Sequence, residues 1–216
     1  MVTRYGYDVV AAVTGLAVLG TAAGFFLLEG RTPRIVCAGL MGLVFLFTLF
    51  FFRDPDRVVP SGENLVLAPA DGRIIEIVRT SDPEFLGGEA VQVSIFMSVL
   101  DVHVNRFPIS GVVRYFRHDE GEYLIASEPK ASARNERTHI GIENPRVKVL
   151  FRQVAGFIAR RIVAEVSPGD HARAGERFGM IKFGSRVDVL LPPGVAVQVR
   201  VGDRTVAGET ILGVVS

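Results

Sequence analysis

The chain has 216 residues, of which 49% are hydrophobic, and a formal net charge of +1 at pH 7. This length accommodates one ordinary domain and an appendage, and the near-zero charge gives no reason to expect a nucleic-acid partner. The single cysteine, Cys37, excludes a disulfide framework within one chain, which is typical of a protein body in the cytoplasm.

Two long apolar runs occupy the N-terminal quarter, at residues 9–28 and 35–52. As helices they extend about 30 and about 27 Å, close to the thickness of a bilayer's hydrocarbon core. The six residues between them are too few for anything but an antiparallel hairpin. A signal peptide and a pair of buried core helices are the alternatives, but the runs are long and apolar on every side. We therefore expect a membrane hairpin that spans the bilayer or enters one leaflet.

The arginines that flank the two runs indicate an orientation. Three of them lie at the open end of the hairpin and two at its connection, namely Arg4, Arg53, Arg57, Arg31 and Arg34. Because positive residues favour the cytoplasmic side, both termini are expected there. The sequence thus predicts a protein of the cell membrane whose main domain lies on the cytoplasmic side.

The charged, proline-containing segment 53–57 ends the second run, so residues 1–57 are predicted to form the hairpin and its linker. Residues 58–216 then predict a β-rich domain with strands at 65–68, 72–80, 90–96, 111–116, 139–143, 147–154, 161–166, 177–183, 186–191, 196–201 and 210–215. Residues 98–103 and 127–134 are expected to form short helical turns. The predicted fold is mainly β (α+β overall), with a barrel- or sandwich-like domain after the hairpin.

A repeated turn pattern marks the C-terminal third. Residues 168–176 and 201–209 each contain a Gly-Asp turn, a short strand and an Ala-Gly-Glu turn, which predicts quasi-symmetric hairpins. Carrier domains for biotin and lipoate have a similar turn pattern and present a modified lysine at a hairpin tip. Lys182 is the nearby lysine here, so an uncleaved, membrane-tethered carrier or binding module is one hypothesis for function.

Gly184-Ser185, between two strand-like runs, supports another hypothesis. Most Gly-Ser pairs are tight turns with a surface serine. Glycine also permits a close approach to its carbonyl, so the Ser185 hydroxyl can attack it, replace the amide by an ester and, after elimination, split the chain and leave a keto group on residue 185.

Further polar residues are candidates for chemistry. Asp71 lies in a predicted turn between strands, and His103 lies among polar residues after an apolar strand. Residues 135–137, Asn-Glu-Arg, form a compact polar trio that is expected to brace a site or to bind a ligand. The other histidines, His118, His139 and His171, are expected to be structural or solvent-exposed. No metal-ligand motif is recognised in the sequence.

Taken in order, these segments resemble the phosphatidylserine decarboxylase family in its short, membrane-anchored form. The resemblance runs from about residue 51 to the C-terminus and rests on the turn with Asp71, the segment with His103, the trio 135–137 and the runs Phe-Phe-Arg-Asp-Pro at 51–55, Gln-Val-Ala-Gly at 153–156, Ala-Arg-Arg-Ile at 159–162 and Phe-Gly-Ser-Arg at 183–186. The N-terminal hairpin is typical of the short form.

The resemblance implies a proenzyme that cleaves itself between Gly184 and Ser185. Residues 1–184 then form the β chain and residues 185–216 the α chain, and the two chains remain together as a heterodimer or in a higher oligomer. Ser185 becomes a pyruvoyl group that replaces pyridoxal phosphate. Its keto group forms a Schiff base with phosphatidylserine in the bilayer and serves as the electron sink for decarboxylation to phosphatidylethanolamine.

The resemblance also implies residue roles. Ser185 is the nucleophile, and Asp71 and His103 match an Asp–His pair that activates it. Longer family members carry a second histidine where this chain has Arg106, so His103 is expected to act in self-cleavage, in proton donation after decarboxylation, or in both. Arginines near the site, Arg137 and Arg186, are expected to bind the phosphate or carboxylate of the lipid.

Overall fold

A computed structural model describes residues 1–122, 135–156, 161–182 and 185–216. The chain divides into two compact units, Met1–Pro55 and Asp56–Ser216. The described part of the first unit is helical and that of the second is built from β-strands. The boundary between them falls inside the charged, proline-containing segment 53–57.

The first unit is a helical hairpin. A short 3-10 turn, Arg4–Gly6, leads into α1 (Tyr7–Leu27), and α2 (Arg31–Phe51) follows. The helices approach closely at Gly24, where an added Cβ would lie 2.6 Å from the Cys37 sulfur. At the open end of the hairpin, Thr3 N donates to Phe52 O at 2.8 Å. The expected antiparallel hairpin is therefore confirmed.

Both helices are long and apolar enough to cross a membrane. Their most apolar stretches have mean hydropathies of 2.0 and 2.2, and only 6% and 11% of those stretches are buried. Large side chains such as Leu19, Phe26 and Leu43 are 70%, 81% and 64% exposed. Such a surface is compatible with lipid around the hairpin.

The second unit contains fourteen described strands. They are β1 (Leu65–Leu67), β2 (Gly72–Asp82), β3 (Gly88–Met97), β4 (Val104–Arg106), β5 (Gly111–Asp119), β6 (Arg137–Glu143), β7 (Lys148–Ala155), β8 (Arg161–Ala164), β9 (His171–Ala172), β10 (Arg177–Lys182), β11 (Ser185–Leu191), β12 (Val195–Val197), β13 (Arg204–Thr205) and β14 (Ile211–Val215). The predicted class, mainly β after a helical hairpin, is confirmed.

Three antiparallel sheets make up this unit. The largest has eight strands in the order β13-β2-β3-β11-β7-β6-β5-β9, and two three-stranded sheets have the orders β1-β14-β12 and β4-β10-β8. The inner face of the eight-stranded sheet carries the apolar core, to which Ile95, Phe151 and Val187 contribute from neighbouring strands. β11 lies between β3 and β7. All of its residues, on both faces of the sheet, are buried.

Every predicted strand overlaps an observed one, whereas β4, β9 and β13 were not predicted. The helical turn predicted at residues 98–103 is wrong. There the Asp101 carboxylate accepts from Ser98 N at 2.8 Å, which forms a tight turn, and the chain enters β4 at Val104. The helical turn predicted at 127–134 lies outside the described residues.

The two repeated turns have matching local structures. Asp170 Oδ2 accepts from Ser167 N at 2.7 Å, and Asp203 Oδ2 accepts from Arg200 N at 2.8 Å. The short strands that follow, β9 and β13, lie at opposite edges of the eight-stranded sheet. The two turns thus repeat one local structure, but each short strand pairs with a strand distant in sequence, so the prediction of hairpins is wrong.

Candidate active site

Ser185 begins β11 and is completely buried. It pairs with Met97 on β3 and with Ala155 on β7, and its hydroxyl donates to the Met97 sulfur at 3.2 Å. The preceding described residue, Lys182, ends β10 in a different sheet. Ser185 is thus not a surface residue of a hairpin turn, and the chain passes from one sheet to another just before it. Gly184 lies outside the described residues.

His103 lies immediately before β4 and is also completely buried. Its Nδ1 is 2.9 Å from the Asp101 carbonyl oxygen. A carbonyl can only accept, so Nδ1 carries the proton and, in the neutral ring, Nε2 has the lone pair that a general base requires. The His103 carbonyl accepts from Ile181 N at 3.3 Å, which places this histidine along β10 near the chain segment that leads to Ser185.

Asp71 lies in the turn between β1 and β2, where its carboxylate has two partners. Arg57 Nη2 donates to its oxygens at 2.8 and 3.0 Å, and Ala207 N donates at 2.8 Å. Burial raises the pKa of Asp71 above its ordinary value, and the contacts with Ala207 and Arg57 oppose that rise. The cation paired with Asp71 therefore comes from the linker segment.

Asn105 and Met97 connect these three regions. Asn105 Nδ2 lies 3.5 Å from the Pro69 carbonyl in the Asp71 turn and 3.8 Å from Met97 Sδ, which also accepts from Ser185. The described contacts thus place the turn with Asp71, the approach to β4 with His103 and the start of β11 around one group of buried side chains. The Asp71 carboxylate itself is bonded to Arg57 and Ala207.

Arg186 forms ion pairs with two carboxylates. Its guanidinium is 1% exposed, and it donates to Asp188 at 2.5 Å, to Glu76 at 2.8 Å and to Ser94 at 2.6 Å. Since side chains alternate along a strand, it lies on the face of β11 opposite to Ser185. The geometry thus offers no support for lipid binding by Arg186 and indicates instead that it stabilises the outer face of the sheet.

Arg137 lies on the same outer face, in a charged cluster at the ends of β5 and β6. It donates to Asp119 at 3.1 Å and to His139 Nε2 at 3.2 Å. The structure therefore does not bring Arg137 to the Ser185 hydroxyl. Its neighbour Asn135 instead donates to the carbonyl of Ala155, the β7 partner of Ser185, at 2.7 Å.

Lys182 and Arg106 have buried positions as well. Lys182 is 7% exposed at the end of β10, so it is not presented at a hairpin tip as the lysine of a carrier domain is. Arg106, at the position of the second histidine of longer family members, is 5% exposed and donates to the Gly175 carbonyl at 2.9 Å.

His139 provides a prediction about pH and stability. Burial and the cations Arg152 and Arg117 lower its pKa from 6.5 to about 4. Because the unfolded chain takes up this proton near pH 6.5, the contribution of His139 to stability is complete above that pH and is lost as pH falls toward 4. We expect the stability that depends on His139 to decrease by about 2 to 3 kcal/mol between pH 7.5 and pH 4.5.

The measurement is chemical denaturation of the full chain in detergent, in a Ser185→Ala background that removes the nucleophile of the expected self-cleavage. Adding His139→Gln should reduce the change in the free energy of unfolding between pH 7.5 and pH 4.5 by this amount. The Ser185→Ala parent, measured over the same pH range, is the control. Equal slopes in the His139→Gln variant and its parent would contradict the prediction.

Three residues around the candidate site are not recognised as candidates from the sequence: Met97, Asn105 and Arg57. Met97 lies in an apolar strand, where nothing distinguishes it from a core residue. The sequence places Arg57 in the linker and among the arginines that indicate orientation, but does not indicate that it pairs with Asp71. Asn105 was visible in the polar segment after His103, and its position two residues from that histidine was the one available signal.

Comparison with known proteins identifies the family. The sequence profile described as phosphatidylserine decarboxylase matches residues 44–213. A phosphatidylserine decarboxylase proenzyme from Pelodictyon phaeoclathratiforme is 46% identical over 213 residues, covering 98% of this chain and 99% of that one. Similar proenzymes from Carboxydothermus hydrogenoformans and Salinibacter ruber are 43% and 48% identical, covering 97% and 85% of this chain and 94% and 81% of theirs. The chain belongs to the phosphatidylserine decarboxylase family.

Proposed function

We propose that this protein is a membrane-anchored proenzyme that cleaves itself before Ser185 and then decarboxylates phosphatidylserine to phosphatidylethanolamine. The observation that carries the proposal is the position of Ser185 in a member of this family. Its hydroxyl is buried at the start of the central strand, where the chain passes between two sheets. A serine in an ordinary turn would be exposed to solvent.

Self-cleavage begins when Ser185 Oγ attacks the carbonyl carbon of residue 184. A C–O bond forms, the C–N bond breaks, and the hydroxyl proton passes through a base to the released amine. Loss of the Cα proton of residue 185 and cleavage of its Cβ–O bond then free the carboxylate of residue 184. Water replaces the nitrogen, which leaves as ammonia, and residue 185 becomes a pyruvoyl group.

His103 is the proposed base for the first step, and the Asp71 carboxylate is the group proposed to assist it. Because Nδ1 donates to the Asp101 carbonyl, Nε2 is the ring atom proposed to accept the proton. Arg57 counters the cost of burying the Asp71 carboxylate, because it places a positive charge within 2.8 Å. His103 is also the proposed proton donor that completes decarboxylation.

The pyruvoyl group fits the position of Ser185 because all of its atoms but one come from that residue. It needs no more space than the serine, which fills its place between Met97 and Ala155. When formed, the group supplies a keto carbon that reacts with the substrate amine and an electron sink for the broken C–C bond. The surrounding side chains shield this position from bulk solvent, since Ser185 is fully buried.

The two products of cleavage are proposed to stay together as an α/β heterodimer. β11 in residues 185–216 keeps its antiparallel partners β3 and β7, which belong to residues 1–184. β14 likewise pairs with β1, and β13 with β2. Four strand pairings across the two chains would have to be lost before they dissociate.

Residues 1–57 are the proposed membrane anchor and its linker, and residues 58–216 are the proposed catalytic domain. A two-tailed lipid stays in the bilayer, so an enzyme that acts on its head group benefits from being attached there. The arginine distribution supports placement of the catalytic domain on the cytoplasmic side of the cell membrane.

The test is to trap the substrate. Mature protein in detergent is incubated with phosphatidylserine and then with borohydride, and both chains are analysed by mass spectrometry. We expect a covalent lipid adduct on fragment 185–216 and decarboxylation without added pyridoxal phosphate. Phosphatidylcholine, which has no primary amine, is the control and should give no adduct. An adduct on Lys182 with an unmodified serine at 185 would refute the proposal.

A further inference from the structure

A series of buried polar side chains crosses the inner face of the sheet to Ser185. Thr138 Oγ1 donates to Gln153 Oε1 at 2.8 Å, and Gln153 Nε2 donates to Asn105 Oδ1 at 2.9 Å. Asn105 Nδ2 lies 3.8 Å from Met97 Sδ, which accepts from Ser185 at 3.2 Å. Thr138 is 3% exposed and the other four are 0% exposed. We refer to these five residues as the buried relay.

The hydrogen bonds of the buried relay fix one another's orientation. Gln153 presents its oxygen to the Thr138 hydroxyl and its nitrogen to Asn105, and neither group can exchange roles without losing a bond. Asn105 then directs its NH2 group toward the Met97 sulfur and the Pro69 carbonyl. A donor is therefore oriented toward the neighbourhood of the Ser185 hydroxyl.

Burying polar side chains at these positions costs free energy that apolar side chains would not cost. The neighbouring inward-facing residues on the same strands are Ile140, Phe151 and Val187, and further apolar residues would also fill the core. Yet the residue of the buried relay that contacts Ser185 is a methionine, a flexible side chain whose sulfur is a weak hydrogen-bond acceptor. Contact with Asn105 restricts where that sulfur lies, and the sulfur restricts where the Ser185 hydroxyl points.

We propose that Asn105 and Gln153 are positioning residues for self-cleavage, which hold the Met97 sulfur and, through it, orient the Ser185 hydroxyl for attack on the preceding carbonyl. This inference rests on the proposed self-cleavage. An intramolecular attack requires the hydroxyl in one rotamer at close range, so a small displacement slows it strongly. Asn105 and Gln153 act through Met97 and are not themselves the base.

The experiment measures the rate at which purified full-length precursor converts to its two fragments, by intact mass spectrometry. Asn105→Ala is expected to slow conversion about 100-fold, and Gln153→Met and Met97→Leu, which preserve side-chain volume, about tenfold each. The rates should fall by the same factor at every pH, because the base is unchanged. Wild-type rates in all three variants would overturn the proposal.

Hydroxylamine distinguishes positioning from a later defect, because it cleaves an ester and spares an amide. If the variants impair attack, little ester forms, and hydroxylamine should not restore chain release. If hydroxylamine releases the chains at the wild-type rate, attack is intact and the proposal is wrong. A wild-type precursor that never cleaves would instead refute the proposed function.

Two controls separate positioning from general destabilisation. Gln92→Met changes another buried glutamine, which bonds Ser94 on the opposite face of the same sheet. Asn144→Ala removes an asparagine that accepts from Arg146 N and Val147 N in the β6–β7 turn. Both should cleave within about twofold of wild type. Equal slowing in the controls and the relay variants at matched thermal stability would overturn the proposal.

Discussion

Ser185→Ala should abolish self-cleavage, so that purified protein remains a single chain of 216 residues. Alanine lacks the oxygen that must replace the amide nitrogen at the carbonyl of residue 184, and no pyruvoyl group can form without that step. Decarboxylase activity should therefore fall to background. The folded structure should persist, because the hydroxyl makes one described hydrogen bond, to the Met97 sulfur.

Gel electrophoresis and decarboxylation of phosphatidylserine vesicles measure these two effects. Ser167→Ala changes an exposed serine and is the matched control, which should cleave and react as wild type does. Normal cleavage in the Ser185→Ala variant would place the nucleophile elsewhere and end the proposed mechanism.

His103→Gln should slow self-cleavage by about 100-fold or more, which is the usual contribution of a positioned general base. Glutamine retains a polar side chain but cannot accept a proton near neutral pH. His171→Gln, at an exposed residue of β9, is the matched control. The measurement is the rate of precursor conversion at neutral pH for the wild type and both variants.

The same variant separates the two proposed roles of His103. Slow cleavage together with weak activity of the small matured fraction indicates that His103 acts in both reactions. Normal cleavage without decarboxylation restricts it to the later proton transfer. Full cleavage and full activity would remove His103 from the mechanism.

The sequence was sufficient to predict the main elements because their signals are local. Two uncharged runs of helical length predicted the hairpin, and alternating apolar runs predicted eleven strands. β9 and β13 were not predicted because each has only two residues and is stabilised by pairing with a strand distant in sequence. The turn at 98–103 resembled a helix because its defining contact, donated by Ser98 N to the Asp101 carboxylate, depends on one rotamer of Asp101.

The site was less predictable, because its members meet only through tertiary contacts. Ser185, His103 and Asp71 were selected through motifs, but the sequence does not reveal that Arg57 pairs with Asp71. The expectation for Arg186 illustrates the opposite problem. An arginine next to the nucleophile suggests anion binding, whereas strand alternation turns it to the other face, toward Asp188 and Glu76.

The central claim is that the chain cuts itself before Ser185 and converts that residue to a pyruvoyl group. Intact-mass spectrometry of the purified wild-type protein tests it most directly. The account predicts two chains, residues 1–184 and residues 185–216, the smaller one lighter than its serine form by the mass of one ammonia. A single intact chain after prolonged incubation, or a small fragment that retains its serine, would contradict it.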